Sequence, residues 1–410
     1  MLGVFNLDKI YQYLLIAVGF LLPLTVSGAN VFIVIIVVLW FFSGDYKSKY
    51  SQIISSRILI ASIGFYSLHV IGMLWTEDLA WGFHMLHKMW YFLVLYPVLH
   101  TIVKREYIKY YVYAFLLALL ITEIYSYLIW FEFVRPPAFR GGNVQITNPI
   151  PFMSHVSYNP ILAFAIYLVA HEVFINQAIS KTKLFLYSFF LIIMTINMFI
   201  TGGRAGQVMF FAMLTILIFQ YFNGQKIKSL IAIIFLLPSI FLVAYQSSDI
   251  FKQRVEQTIN SVMVFEEGEY SSVNQRITYA LNSWEIIKQN LLIGVGTGDF
   301  PSEYKKMHKL NRPDLYYEYK FSSGSQPHNM YTLILVELGI VGLSSMLLIF
   351  YYQIKFSLSQ SNRFIRDTGL TLPLLFLVIM LSDSYLLGHY TTLLFVFFSS
   401  FLHKDFEKPS

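Results

Sequence analysis

The chain alternates between long apolar runs and short polar connections. Twelve apolar stretches are read as membrane spans: 10–27, 30–43, 57–75, 84–103, 107–131, 158–176, 184–201, 204–222, 229–245, 328–353, 367–384 and 388–403. Runs such as Ile10–Leu24, Leu184–Ile200 and Leu230–Ala244 reach, with their flanks, across the roughly 30 Å of a hydrocarbon layer. The short alternating strands of a barrel are absent. The pattern therefore predicts an all-α, polytopic membrane protein of about 12 transmembrane helices. Only one polar gap is long, from Gln246 to Pro327. The expected organisation is nine spans over 1–245, a large loop with amphipathic helices over 246–327, and three spans with a tail over 328–410. There is no internal repeat or low-complexity tract, whereas a transporter of inverted repeats would show paired broken helices in two halves.

Composition agrees. Hydrophobic residues make up 56% of the chain and charged residues 13%, about half the share of a soluble domain. Zero cysteines exclude disulfide and thiolate chemistry. The first apolar run lacks a small-residue cleavage pattern and is followed at once by further spans, so no cleavable signal peptide is expected. The net charge of +6 reports orientation rather than nucleic-acid binding. Lysines and arginines collect on alternate connections, at Lys47, Lys49 and Arg57, at Lys104, Arg105 and Lys109, and at Lys355, Arg363 and Arg366. These connections and both termini are expected in the cytoplasm, and the long loop outside, which in an enveloped bacterium is the periplasm. Thr147 and Ser322 should face outward, Asn362 and Ser410 inward.

Candidate chemistry gathers on the outer side. Arg204 lies in the turn Thr201-Gly202-Gly203-Arg204-Ala205-Gly206, where glycines allow a sharp bend and close backbone approach. An arginine at a helix end can also simply snorkel. Ser272-Val273-Asn274-Gln275 has the form of a capping box. It is expected to place Arg276 in the first turn of a loop helix, where free N–H groups already favour an anion. Ala280, Trp284, Ile287 and Leu291 would form that helix's membrane-facing side. A solvated loop arginine is the plain alternative. His328 follows Pro327 at the start of a span, where it can exchange a proton near neutral pH or act as an interfacial cap. Gly339 and Gly342 permit close helix packing. Glu123 and Glu337 lie within spans, where an acid is costly and usually paired or functional. Asp383 sits near an outer helix end. Gly294-Val295-Gly296-Thr297-Gly298 follows no strand, so the dinucleotide fingerprint fails and a flexible turn is expected. No metal-ligand cluster and no cofactor motif is seen.

These marks resemble the O-antigen ligase/polymerase superfamily of bacterial envelopes. The resemblance rests on Gly202-Gly203-Arg204, on Arg276 with Trp284, on Gly294-Val295-Gly296, and on His328-Asn329 followed by Gly339 and Gly342, in this order around one large loop. It implies a metal-independent, GT-C-like membrane glycosyltransferase in the bacterial inner membrane, with its active site facing the periplasm. The donor would be a glycan on undecaprenyl pyrophosphate and the acceptor a sugar of the lipid A core, among membrane lipids and without nucleic acid. His328, Arg276 and Arg204 would be catalytic; Arg204, Arg276, Arg140, Asn329 and Trp284 would bind substrate. An O-antigen polymerase shares the same marks and differs in its acceptor. A protein O-oligosaccharyltransferase, a transporter or flippase, and a membrane scaffold are the further alternatives.

Overall fold

A computed structural model describes residues 4–135, 148–263, 272–311 and 326–407. The described residues are helical, with no strand among them. Among the described residues, six helices are long and apolar enough to cross a membrane: Arg105–Trp130, His155–Phe174, Lys181–Ile200, Arg204–Tyr221, Lys226–Ser247 and Met330–Leu358. A seventh span results if Val26–Phe42 and Tyr46–Ser55, bent by 115°, count as one. The chain is a multi-pass membrane protein.

Helices α1 (Val4–Leu21), α2 (Val26–Phe42) and α4 (Arg57–Gly72) also occupy expected spans. Thr25 caps α2 by accepting from Gly28 N, and Ser56 caps α4 by accepting from Leu59 N. Between them runs the amphipathic α3 (Tyr46–Ser55), which the apolar pattern does not announce. The fourth expected span is broken. It consists of α5 (Leu79–Trp90), a π turn at Tyr91–Leu95 and α6 (Tyr96–Ile102). Pro97 cannot donate to the preceding turn, and the ladder widens just before it.

The centre is built from α8 (His155–Phe174) and α17 (His389–Leu402). Every residue of α8 from Tyr158 to His171 is buried, as is every residue of α17 from Thr391 to Leu402. Phe164 and Phe398 meet edge-on, with ring centroids 4.9 Å apart. The opposite case is α11 (Lys226–Ser247), apolar all round yet largely exposed. An apolar face left outward on a helix of that length requires lipid to cover it.

The long loop is mostly helical. α12 (Asp249–Met263) follows α11 almost directly, and α13 (Ser272–Gln289) and α14 (Phe300–Asn311) pack on each other. The next helix, α15 (Met330–Leu358), breaks at Gly339, whose φ is 62° and ψ −159°. The segment after α13 fills that break. Val295 N and Gly296 N donate to the Val336 and Glu337 carbonyls at 2.9 and 3.0 Å, while Ile340 N and Val341 N donate to Leu291 O and Leu292 O at 2.9 and 3.3 Å. Irregular backbone inside a bundle persists only where protein satisfies it in this way. The glycine turn is therefore a braced insert rather than a flexible connection. Thr297 Oγ1 donates to His69 O at 2.7 Å, and Asp299 accepts from Glu77 N and Asp78 N at 2.8 Å each.

Candidate functional site

Four elements bring charged side chains together at one end of the bundle. The first is the Gly-Gly-Arg turn before α10 (Arg204–Tyr221). Asn159 on α8 braces it, donating to Gly203 O at 3.3 Å and accepting from Thr201 Oγ1 at 3.2 Å. A Cβ on Gly206 would lie 2.1 Å from Asn159 Cβ, so only glycine lets α10 approach α8 this closely. Gly202 N donates to Asn148 at 3.1 Å. The turn aims Arg204, half-buried, at α12, where Arg204 Nη1 donates to Thr258 Oγ1 at 3.1 Å.

The second element is α12 itself. Its Arg254 guanidinium lies over the turn; a Cβ on Gly202 would come within 3.3 Å of Arg254 Nη2. The third is α13, which carries Arg276. The charges of Arg254 and Arg276 both act on Arg204, so three arginines share one region. The helix begins at Ser272, which makes Arg276 its fifth residue. Arg276 thus stands one residue further in than the capping box implied, just beyond the free N–H groups, and its side chain is exposed. The capping side chain expected from Ser272 lies outside the described residues.

The fourth element is the start of α15 together with the loop after α16 (Arg363–Ile379). His328 has φ 51°, a left-handed conformation that is uncommon without glycine. Its Nδ1 lies 3.3 Å from Asp383 Oδ1. Burial alone would raise the Asp383 carboxyl. The hydrogen bond and charge of His328, the Ser384 N–H and the charge of Arg276 outweigh it and hold the group below the ordinary carboxylate range. Asn329 caps α15 by accepting from Thr332 N at 3.0 Å and donates to Leu381 O at 3.2 Å, tying the two segments together. Tyr279, one turn after Arg276, sets its ring 6.0 Å from the His328 ring. Arg204, Arg276 and His328 are therefore neighbours through Arg254, Asp383 and Tyr279.

Trp284 does not join them. It is exposed on α13, about 12 Å along the axis from Arg276. The side of α13 that packs on the protein is largely polar. Asn274, Tyr279, Asn282, Ser283, Ile286 and Ile287 face inward, with Asn282 Nδ2 3.3 Å from both Tyr304 Oη and His308 Nδ1 on α14. Of the residues expected to face the membrane, Ala280, Trp284 and Leu291 are turned outward, whereas Ile287 is buried. Arg140, Thr147, Ser322 and Ser410 lie outside the described residues. Among the described residues no three His, Asp or Glu side chains are grouped as metal ligands. Glu123 is not at the site. It lies buried on α7 (Ile108–Trp130) and accepts from Tyr158 Oη at 2.6 Å.

The segment that carries these elements has a counterpart among known families. Residues 189–347 match the family model for O-antigen ligase. The match supports the O-antigen ligase/polymerase superfamily that the motifs resemble, and a function of that general type in lipopolysaccharide biosynthesis. It spans Arg204, Arg254, Arg276 and His328, and leaves Asp383 outside. No curated protein matches the chain significantly. Sequence reasoning did not single out Arg254, and it noted Asp383 only by position. The signal for Arg254 was its four-residue spacing from Thr258 on a loop helix, which has meaning only once the turn at Gly202 is laid against it.

Proposed function

We propose that this chain is a metal-independent glycosyltransferase. It moves an O-antigen glycan from undecaprenyl pyrophosphate to a sugar of the lipid A core, at the periplasmic face of a bacterial inner membrane crossed about 12 times. The observation that carries this reading is the gathering of Arg204, Arg254 and Arg276 beside a His328–Asp383 pair at the ends of apolar helices. A lipid-borne substrate presents its pyrophosphate at such a boundary.

The chemistry follows from the groups. Asp383 accepts the Nδ1–H of His328, which leaves Nε2 as the acceptor of a proton. His328 Nε2 takes the proton of the acceptor hydroxyl as its oxygen attacks the anomeric carbon of the donor glycan. The bond from that carbon to the pyrophosphate oxygen breaks, and the pyrophosphate leaves with the electron pair. Guanidinium groups hold that charge through paired N–H donors. Asp383 offsets the imidazolium that forms. Asn329, with its amide engaged in capping and bracing, orients His328.

Complementation tests the acceptor. Expression in a ligase-null strain should restore long-chain lipopolysaccharide banding, while a polymerase-null strain should stay unrescued. The reverse outcome would replace the ligase reading with the polymerase. Activity of the purified protein should survive exhaustive EDTA; loss restored by Mg²⁺ or Mn²⁺ would end the metal-independent mechanism.

A further inference from the structure

A second site is built at the other end of the bundle. α15 starts beside His328, and its far end supplies Tyr352, Lys355 and Phe356 to a cavity of about 1090 Å³. At about 1.5 Å per residue the two lie roughly 35–40 Å apart. Helix α3 covers the cavity. It turns by 115° from α2 and sends Ser48, Lys49 and Gln52 into the cavity while Tyr46, Tyr50 and Ile54 face outward. A short amphipathic helix with aromatic residues outward, set across a spanning helix, lies in the plane of the lipid headgroups.

The lining is cationic. Lys49, Arg57, Lys104, Arg105, Lys355 and Lys404 face Asp8, Asp45, Glu106 and Asp405 across it. Lys104 is paired with Asp8 at 2.6 Å, whereas Arg57 and Arg105 make no ion pair among the described residues. The N-terminus of the 16-residue α4 opens into the same space through Ser56, Arg57 and Ile58, adding its free N–H groups. His100 lines the cavity at 5% exposure, and its Nδ1 has no hydrogen-bond partner. Lys404 donates to Thr101 O and Val103 O at 3.1 Å each; burial, then the Lys104 charge, lowers its ammonium to about 8. Arg57, Arg105 and Lys355 are exposed, Lys49, Lys104 and Lys404 half-buried and His100 buried, and the six lysines and arginines outnumber the four acids, so an anion would complete the cluster.

We propose that this cavity binds a phosphate-bearing headgroup, supplied by an anionic lipid of the facing leaflet. Arg57 and Arg105 would grip the phosphate oxygens through paired N–H donors, and α3 would close over the glycerol end. The reading is independent of the transfer chemistry at the opposite end.

The test uses full-length protein in detergent and follows thermal unfolding. The probes are short-chain phosphatidylglycerol, short-chain phosphatidylcholine and inorganic phosphate. A saturable rise in Tm with phosphatidylglycerol is expected, with phosphatidylcholine at least about tenfold weaker because its phosphate is already neutralised. Arg57→Gln with Arg105→Gln should weaken the phosphatidylglycerol response at least about tenfold, and Lys181→Gln, a basic residue outside the cavity, should leave it unchanged. If the double variant does not fold, Lys355→Gln alone should weaken the response. Saturation by inorganic phosphate to the same Tm would keep the phosphate site and assign it to a soluble phosphate compound. Equal responses to the two lipids, or a full response in the arginine variants, would overturn the proposal.

Discussion

Replacing Gly339 by alanine should do damage far beyond the loss of one hydrogen atom. Its φ of 62° with ψ −159° is open almost only to glycine, so alanine there carries about 1–3 kcal/mol of backbone strain. The new Cβ would stand 2.4 Å from both C and O of Leu292. Those are backbone atoms, so they cannot rotate away, and the insert must lift off the broken helix. Lifting it disrupts four hydrogen bonds: Ile340 N and Val341 N to the Leu291 and Leu292 carbonyls, and Val295 N and Gly296 N to the Val336 and Glu337 carbonyls. At about 0.5–1.5 kcal/mol each these amount to about 2–6 kcal/mol. The total, about 3–9 kcal/mol, rivals the whole stability of an ordinary domain, about 5–15 kcal/mol. Gly64→Ala is the matched control. It lies in α4 with nothing within 4 Å of its Cβ position, so it should be neutral or stabilising by up to about 1 kcal/mol. The assay is thermal stability in detergent, read by fluorescence-detected size exclusion. Gly339→Ala should melt at least about 5 °C below Gly64→Ala, with transfer activity lost alongside, since the insert joins the helix of Arg276 to that of His328. A Gly339→Ala protein as stable as its control would refute the idea that the insert braces the break.

Further consequences concern charge, geometry and topology. Asp383→Asn should cut transfer about 10²-fold or more, because the imidazolium formed on His328 loses its counter-charge. The Asp383 carboxyl is depressed in the folded protein, so its contribution to stability is present above the unfolded value near pH ~4 and is lost as pH falls through the lower folded value. The gap in Tm between wild type and Asp383→Asn should therefore narrow as pH falls below the unfolded value; a gap that widens in acid would count against the pair. Arg204→Lys keeps the charge but not the fork of donors, and should lower transfer while leaving expression intact; full activity in that variant would show that charge alone suffices. Asn362→Cys in this cysteine-free chain should resist an impermeant thiol reagent in outer-membrane-permeabilised cells, and its labelling would reverse the orientation.

The longest spans were the most legible part of the chain because apolar runs such as α11 need no tertiary partner to be recognised. The broken helix was not legible. Leu338-Gly339-Ile340 reads as continuous helix, and the break exists only because residues 291–296 supply its hydrogen bonds. Arg204 and His328 stood out as polar groups at the edges of apolar segments, and Arg276 as an arginine behind a capping box in the long loop. Asp383 looked like an ordinary helix-end acid, since its partner is 55 residues away in sequence. The inner face of α13 was not legible for a related reason. Asn282 and Ser283 are buried because α14 packs over them and offers Asn282 its polar partners, while most of the apolar stripe the periodicity picks out is left outward. Local pattern identifies an amphipathic helix but cannot say which side its neighbour will cover.

The central claim is that one end of the bundle holds both the charge that receives pyrophosphate and the base that activates the acceptor. It is tested most directly by in vitro transfer from a polyprenyl-pyrophosphate glycan to purified lipid A core, comparing wild type with Arg276→Ala and His328→Ala at matched folded levels. The account predicts losses of about 10²–10³-fold for Arg276→Ala and about 10²–10⁴-fold for His328→Ala. Near wild-type transfer by both variants would contradict it.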